Sequence, residues 1–202
     1  MIKAIIFDFD GVIVDSFHFH FEKVKAFSGV DISDEQFRSL HYGNFFEHNL
    51  EAIKNIEWEK YRDYVYTEQR EISVDENIKR DIEKLSQNYH IFIISSGGER
   101  NIFACLETNN IHHHFQKIMG LETCQSKQEK FENLIQEYGL KKEEILFVTD
   151  TLGDIKEANN VGIKTIAIVG NYSKKEILEI GNPLLIIHNF EELLPFLEKL
   201  QK

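Results

Sequence analysis

Short apolar runs rich in β-branched residues recur along this chain, and between them apolar positions return at helical spacing. Residues 2–7, 91–95, 145–148, 165–169 and 184–187, with a weaker run near Ile118, are the apolar runs. Their pattern predicts strands covered on both faces, as in a parallel sheet. Ile78, Ile82 and Leu85, and later Phe131, Leu134, Ile135 and Tyr138, fall on one side of a helix. Strand alternating with helix predicts an α/β fold with a doubly wound parallel sheet. Gly139, Gly162 and Gly181 stand where helix C-caps are needed. Asn189 with Glu192 resembles a capping box, and Pro195 should kink the last helix or start it late.

One gap breaks this rhythm. From residue 16 to about 75 no run reads as a buried strand, while aromatic and polar residues mix at helical spacing. A structureless loop of that length inside an α/β unit is improbable, so the stretch predicts an inserted helical cap. The expected organisation is a core of residues 1–15 and 76–202 with a small cap of residues 16–75. Phe45, Phe46, Trp58, Tyr61, Tyr64 and Tyr66 are the expected cap interior, because so small a unit needs aromatic burial.

Charge and cysteine content narrow the function. In 202 residues, 34 acidic side chains oppose 23 basic ones, a net charge of −11, which argues against a nucleic-acid partner. The two cysteines, Cys105 and Cys124, have no metal-like spacing and are expected to be inert thiols in a reducing cytosol. Asp8 and Asp10 interrupt the first apolar run too early for a signal-peptide core. No apolar stretch approaches the ~18 residues of a membrane span. The expectation is a cytoplasmic protein with no membrane partner; oligomeric state is not legible.

The candidate chemistry sits at strand ends. The first run closes on Phe7-Asp8-Phe9-Asp10-Gly11-Val12, and Asp8 and Asp10 point to the same side of an extended chain. The C-terminal edge of an open α/β sheet is where ligands bind. Ser95 and Ser96, followed by Gly97 and Gly98, end the second run, where hydroxyls and free N–H groups can receive an anion. A strand-to-helix turn contains such residues about as often for backbone reasons alone. Lys127 opens a helix, an unfavourable place for a cation. Taken alone it reads as a solvated surface lysine. Asp150 and Asp154 follow the fourth run, and Asp154 could simply be the N-cap of a helix over residues 155–161.

Together these residues share one logic. Two ionised carboxylates ~4 Å apart repel by ~4 kcal/mol at an effective dielectric of ~20. A crowded acidic edge is intelligible if it holds a divalent cation, and all-oxygen ligands without clustered Cys or His point to Mg²⁺. Lys127 and the Ser95 turn add what a phosphoryl dianion requires. Metal, phosphate pocket and a spare carboxylate amount to phosphoryl transfer.

The set Asp8-Phe9-Asp10-Gly11-Val12, Ser95, Lys127 and Asp150 with Asp154 resembles, in order, the four motifs of the haloacid dehalogenase superfamily. Residues 7–16 resemble its branch of capped small phosphatases and β-phosphoglucomutases. The resemblance implies a Rossmann-like core, a Mg²⁺ cofactor, an aspartyl-phosphate intermediate and a small phosphorylated metabolite as substrate. It implies Asp8 as nucleophile and Asp10 as general acid and base. The metal would be held by Asp8, the Asp10 carbonyl and Asp150, with Asp154 behind them or bound through water. Ser95 and the Ser96 N–H would hold the phosphoryl group, and Lys127 would neutralise it. In this branch a His at the position of His20 helps time the general acid, although His18 and His20 among Phe17, Phe19 and Phe21 read more simply as a packed hinge.

Three departures bear on function. Thr149 stands where the family usually has Gly, so a local departure of the backbone is expected there, and Gln128 stands where Pro is common. The stretch Leu40-His41-Tyr42-Gly43-Asn44 lacks the Arg with which sugar-phosphate mutases grip a second phosphate; Arg38 is near but is given no role. That puts a phosphatase ahead of a phosphomutase. Asp10 argues against dehalogenase and phosphonate-cleaving chemistry. A phospho-accepting signalling domain is disfavoured by the acidic pair on the first strand and by the insertion, and a purely binding role by the retained motifs. His112, His113 and His114 are consecutive and cannot all face one ion, so they read as a solvated loop. Glu99 suits a helix start, and Arg100 is given no role.

Overall fold

The structure, a computed structural model, describes residues 1–47, 50 and 53–200. Six strands form one parallel sheet: β1 (Ala4–Phe7), β2 (His90–Ile94), β3 (Lys117–Met119), β4 (Ile145–Thr149), β5 (Lys164–Ile168) and β6 (Leu185–Ile187), in the spatial order β3-β2-β1-β4-β5-β6. The strand runs read from the sequence are all present, displaced by a residue or two at their ends.

Both faces of the sheet are covered, which is why its strands lack polar alternation. On one face Ile5, Phe7, Ile91, Ile93 and Val148 pack against Ile82 and Leu85 of α4 (Glu76–Ser86), Ile102 and Leu106 of α5 (Glu99–Thr108), and Leu193 and Leu197 of α9 (Leu193–Leu200). On the other face Ala4, Ile6, Phe92 and Phe147 meet Phe131 and Leu134 of α6 (Lys127–Tyr138) and Ala158 and Val161 of α7 (Leu152–Val161). The helix α8 (Lys174–Ile180) lies beyond α7, where Ile177 packs with Ile155.

Helices α1 (Phe17–Ser28), α2 (Asp34–Ser39) and α3 (Trp58–Gln69) are inserted between β1 and α4. They enclose a separate core of Val24, Ile32, Phe37, Leu40, Ile53, Tyr61 and Val65. The Trp58 ring stands edge-on to Phe45 at 5.0 Å and to Tyr61 at 5.6 Å. Not every expected aromatic is inside. Tyr64 is exposed on the outer face of α3, and Tyr66 lies under the Arg100 guanidinium at 4.4 Å.

Several end signals resolve differently from expectation. Gly139 and Gly162 cap α6 and α7 in the left-handed conformation, whereas Gly181 caps α8 with extended backbone. The Asn189 capping box does not form: Glu192 accepts from the His188 N–H, residues Phe190–Glu192 make a 3-10 turn, and α9 starts at Leu193. Pro195 thus falls in the first turn of α9, where its missing N–H costs nothing. His112–His114 form a 3-10 turn, with His114 bonded to the Ser86 hydroxyl at 3.0 Å.

The site is placed by register. Phe7 is level with Ile93 of β2 and with Val148 of β4, and the Asp8 N–H donates to the Val148 carbonyl at 2.9 Å. Asp8, Ser95 and Asp150 therefore leave the sheet at one edge. β1 is also where the strand order reverses direction, the crevice in which open α/β sheets bind ligands.

Candidate active site

The eight candidate site residues of the sequence line one cavity between the sheet edge and helices α1–α3: Asp8, Asp10, His20, Ser95, Ser96, Lys127, Asp150 and Asp154. Its free volume is about 140 Å³. That is below the ~300–1,000 Å³ of drug-sized ligand sites and suits a small substrate.

Lys127 is the electrostatic centre. It is 2 % exposed, with Nζ 2.6 Å from Asp154 Oδ2 and 3.1 Å from Asp8 Oδ2. Burial pulls its pKa down, but the Asp154 and Asp8 carboxylates outweigh that and the net direction is up. Its place at the first position of α6 is also explained. Ser126 caps the helix by accepting from the Glu129 N–H, and Glu157 accepts from the Lys127 N–H at 3.0 Å. The unfavourable dipole is thus offset by three carboxylates around the helix end.

The acids differ in environment. Asp8 is buried, and its Oδ1 accepts from the Phe9 N–H at 2.8 Å. Burial raises its pKa well above the carboxylate range; Lys127 opposes this, and Asp154 adds to it. Asp10 accepts from the Ser16 hydroxyl at 2.5 Å and lies 3.2 Å from His20 Nε2. Enclosure would raise Asp10, but His20 and Ser16 more than offset it, so it is held low. His20, on α1, is itself held by the Tyr61 hydroxyl at 2.9 Å and by Gln69 Nε2 at 3.4 Å, both from α3.

Asp154 is not the helix N-cap. Thr151 caps α7, accepting from the Asp154 N–H, which frees the Asp154 carboxylate to face inward. Its Oδ2 accepts from both Lys127 and the Thr149 hydroxyl, the latter at 2.7 Å. Lys127 pulls its pKa down against burial. Thr149 leaves the backbone regular: it ends β4 opposite Ala167 and adds the hydroxyl that fixes Asp154.

Asp150 is the residue with something missing. It is 3 % exposed, and its Oδ1 is buried with no hydrogen-bond partner. Burial and the Asp154 charge push its pKa up to about 7. Gly11 makes room for it: φ is +75°, and a Cβ there would lie 2.2 Å from Asp150 Oδ2. A cation bound by Asp8, the Asp10 carbonyl and Asp150 would satisfy that oxygen, and the all-oxygen donor set fits Mg²⁺. Such a set has only two side-chain donors, and among the described residues no three His, Cys, Asp or Glu side chains form a metal cage.

A family model for haloacid dehalogenase-like hydrolases matches residues 5–168, spanning every residue of this site. The chain belongs to that family. The hydrolase is 24 % identical over 213 residues to a phosphoglycolate phosphatase of Photorhabdus laumondii, an alignment covering 96 % of this chain and 91 % of that protein. It is 22 % identical to the pyrophosphatase PpaX of Bacillus mycoides over 98 % of both. A haloacid dehalogenase-like family hydrolase of Streptococcus pneumoniae superposes with a TM-score of 0.77 at 25 % identity, covering 97 % of this chain and 98 % of that one.

The hydrolase also carries groups that the sequence did not disclose. Arg38 is outside the cavity, over the Tyr172 ring and 3.6 Å from Glu176. The cap arginine that does line the cavity is Arg62 of α3, lying against Gly98 with Nε 3.7 Å from Glu122. Nothing in the spacing around Arg62 marks it out, because its position depends on how the cap docks. Lys130 is fully buried one turn after Lys127, with Nζ donating to the Ser95 carbonyl at 2.7 Å. Its one trace in the sequence, not read above, is a lysine in register with Lys127, Phe131 and Leu134 on the buried face of α6. The thiols are free; Cys105 is buried, which pushes its pKa up to about 12.

Proposed function

We propose that the hydrolase is a Mg²⁺-dependent phosphatase acting on a small phosphate monoester through an aspartyl-phosphate on Asp8. The observation that carries the reading is the Asp8–Lys127–Asp154 cluster lining one cavity with Ser95, where the Asp150 Oδ1 is left unpartnered. Those are the groups needed to receive a dianion and to attack it. Bound Mg²⁺ would offset the charge of Asp8 and Asp150 and of the phosphoryl oxygens.

Asp8 attacks phosphorus while the bond to the ester oxygen breaks. Lys127, Ser95 and the Ser96 N–H hold the equatorial oxygens. Asp10 gives its proton to the leaving oxygen, then takes one from the water that hydrolyses the aspartyl-phosphate and releases inorganic phosphate. In the free enzyme Asp10 is held ionised, which suits the second half-reaction. A phosphoryl dianion arriving beside it raises its proton affinity toward the acid form that the first half needs. His20, Tyr61 and Gln69 tie this group to α3, so proton transfer is aligned only with the cap docked.

We infer that residues 16–75 form the cap and that the setting is cytoplasmic. Arg62 favours phosphorylated substrates, esters or anhydrides, that carry a further anionic group. Two enzymes similar to this chain are named for phosphoglycolate and pyrophosphate, both of which have one. It also keeps a phosphomutase as the second reading, since a mutase must grip a second phosphate.

The test is phosphate release across a panel of 2-phosphoglycolate, pyrophosphate, sugar phosphates and nucleotides, with Mg²⁺ or EDTA, beside Asp8→Asn. Release that requires both Mg²⁺ and Asp8 supports the reading and names the substrate class. Release that survives Asp8→Asn would sink it. Isomerisation of a sugar phosphate without net release would select the mutase.

A further inference from the structure

Lys130 is a buried cation that the proposed chemistry does not use. It is 0 % exposed, and among the described residues no carboxylate lies within ion-pair distance of its Nζ. Its hydrogen-bond partner is the main-chain carbonyl of Ser95, at 2.7 Å. A buried ammonium without a counter-ion is costly, and a methionine of similar length would fill the same slot between Lys127 and Phe131. Burial indeed pulls its pKa down, to about 8, with Lys127 adding to the effect.

We propose that Lys130 is a positioning residue for the phosphate loop, holding the Ser95 carbonyl outward so that the Ser96 N–H is presented to the phosphoryl group. The inference rests on the phosphatase reading. Its geometry follows from the peptide plane: the Ser95 carbonyl and the Ser96 N–H belong to one trans unit and point in opposite directions. A donor that fixes the carbonyl on the α6 side therefore turns the N–H toward the cavity that Ser95 and Ser96 line. The remaining bonds of the turn agree. The Ser95 N–H is used by the Met119 carbonyl, and the Ser95 hydroxyl oxygen accepts from the Gly97 N–H, leaving its O–H free to donate. The Ser96 N–H has no protein acceptor among the described residues. A cation on the carbonyl also polarises the peptide and makes that N–H a stronger donor. One face of α6 thus serves the phosphate twice, directly through Lys127 and through the backbone by Lys130.

The experiment uses the whole chain with Mg²⁺ and inorganic phosphate as probe. Phosphate affinity is measured by calorimetry, the Ser96 amide is followed by ¹H–¹⁵N NMR, and kcat and KM come from the best ester of the panel. In the native protein phosphate should move the Ser96 amide proton downfield. Lys130→Met should weaken phosphate binding ~10-fold and lower kcat by a similar factor. It should also abolish the Ser96 shift while leaving thermal stability equal or higher. Lys130→Gln, which keeps an N–H donor, should recover part of both; it carries the comparison if the Met variant does not fold.

Phosphate affinity and a Ser96 shift unchanged in Lys130→Met would overturn the proposal, and a fall in stability alone would show a structural tie only. Failure of the native protein to bind phosphate, with activity indifferent to Asp8→Asn, would instead reject the phosphatase reading and the proposal with it.

Discussion

Replacing Asp150 with Asn should make the metal-free protein more stable and remove its response to Mg²⁺. In the folded state the Asp150 carboxyl is raised from 3.8 to about 7 by burial and by Asp154, and at 3 % exposure solvent screens little of this. At ~1.4 kcal/mol per tenfold change, the ionised form costs the fold on the order of 4 kcal/mol. The sign is fixed by proton counts. Between pH 3.8 and 7 the folded state binds more protons than the unfolded state, so stability falls as pH rises through that window. The cost is fully present above pH 7 and gone below pH 4. Asparagine carries no charge but leaves a buried amide donor poorly paired, a loss of ~1–3 kcal/mol. The net gain at pH 7.5 in EDTA is then roughly 1–3 kcal/mol, or about 2–12 °C at the ~2–4 °C per kcal/mol of a chain this size. With Mg²⁺ the order should reverse. A ligand at ~1,000 times its Kd adds ~4.1 kcal/mol to the native protein, more than that gain, and nothing to a variant that cannot bind it. Calorimetric melts of both proteins, with EDTA and with Mg²⁺, decide the matter. A variant less stable than the native protein in EDTA, or one stabilised equally by Mg²⁺, would refute the assignment of the unpartnered oxygen to a metal.

Three further outcomes are expected. Thr149→Val removes the hydroxyl that fixes Asp154 Oδ2, and should cost ~1.5–3 kcal/mol by denaturant melt together with weaker Mg²⁺ binding by calorimetry. Gly153→Ala places a Cβ 2.1 Å from the Gly43 carbonyl of the cap. That backbone atom cannot yield without moving its segment, so kcat/KM should fall ~10-fold or more, with a loss of thermal stability that the ~1 kcal/mol better helix propensity of alanine only partly offsets; unchanged kinetics would show that the inserted helices adapt. Lys130 is held near 8 against an ordinary 10.5, so above pH 8 the folded state sheds its proton while the unfolded state keeps it. Stability should therefore rise from pH 8 to about 10 relative to Lys130→Met, and parallel pH profiles in urea melts would contradict the burial argument.

The sheet was readable because buried parallel strands are apolar without alternation, and the cap because nothing between β1 and α4 shares that pattern. Asp8 and Asp150 were visible as carboxylates directly after buried strands, where burial without a partner is costly, with Asp10 and Asp154 a few residues further on. Partners set by docking were not readable. Arg62 and the Tyr61–His20 contact depend on the approach of α3 to α1 and α5, which no local spacing encodes. Asp154 was ambiguous for another reason: a carboxylate near a helix start satisfies the N-cap pattern whether or not it caps. Thr151 does that work, and only the three-dimensional placement of Lys127 shows where the Asp154 side chain goes. Tyr64 and Tyr66 looked like interior aromatics because composition ignores which face of α3 they occupy.

The sheet is rimmed by its two shortest strands, β3 and β6, of three residues each. An incoming strand pairing with either rim would find at most one or two main-chain bonds before the chain turns away. Edge-to-edge addition, the usual route by which open sheets recruit other chains into aggregates, is thereby starved of template. The longer strands, with their continuous apolar sequences, are all interior. A second copy wishing to associate has to do so through helices or cap, and the most aggregation-prone segments of the chain stay out of reach for as long as the sheet is assembled.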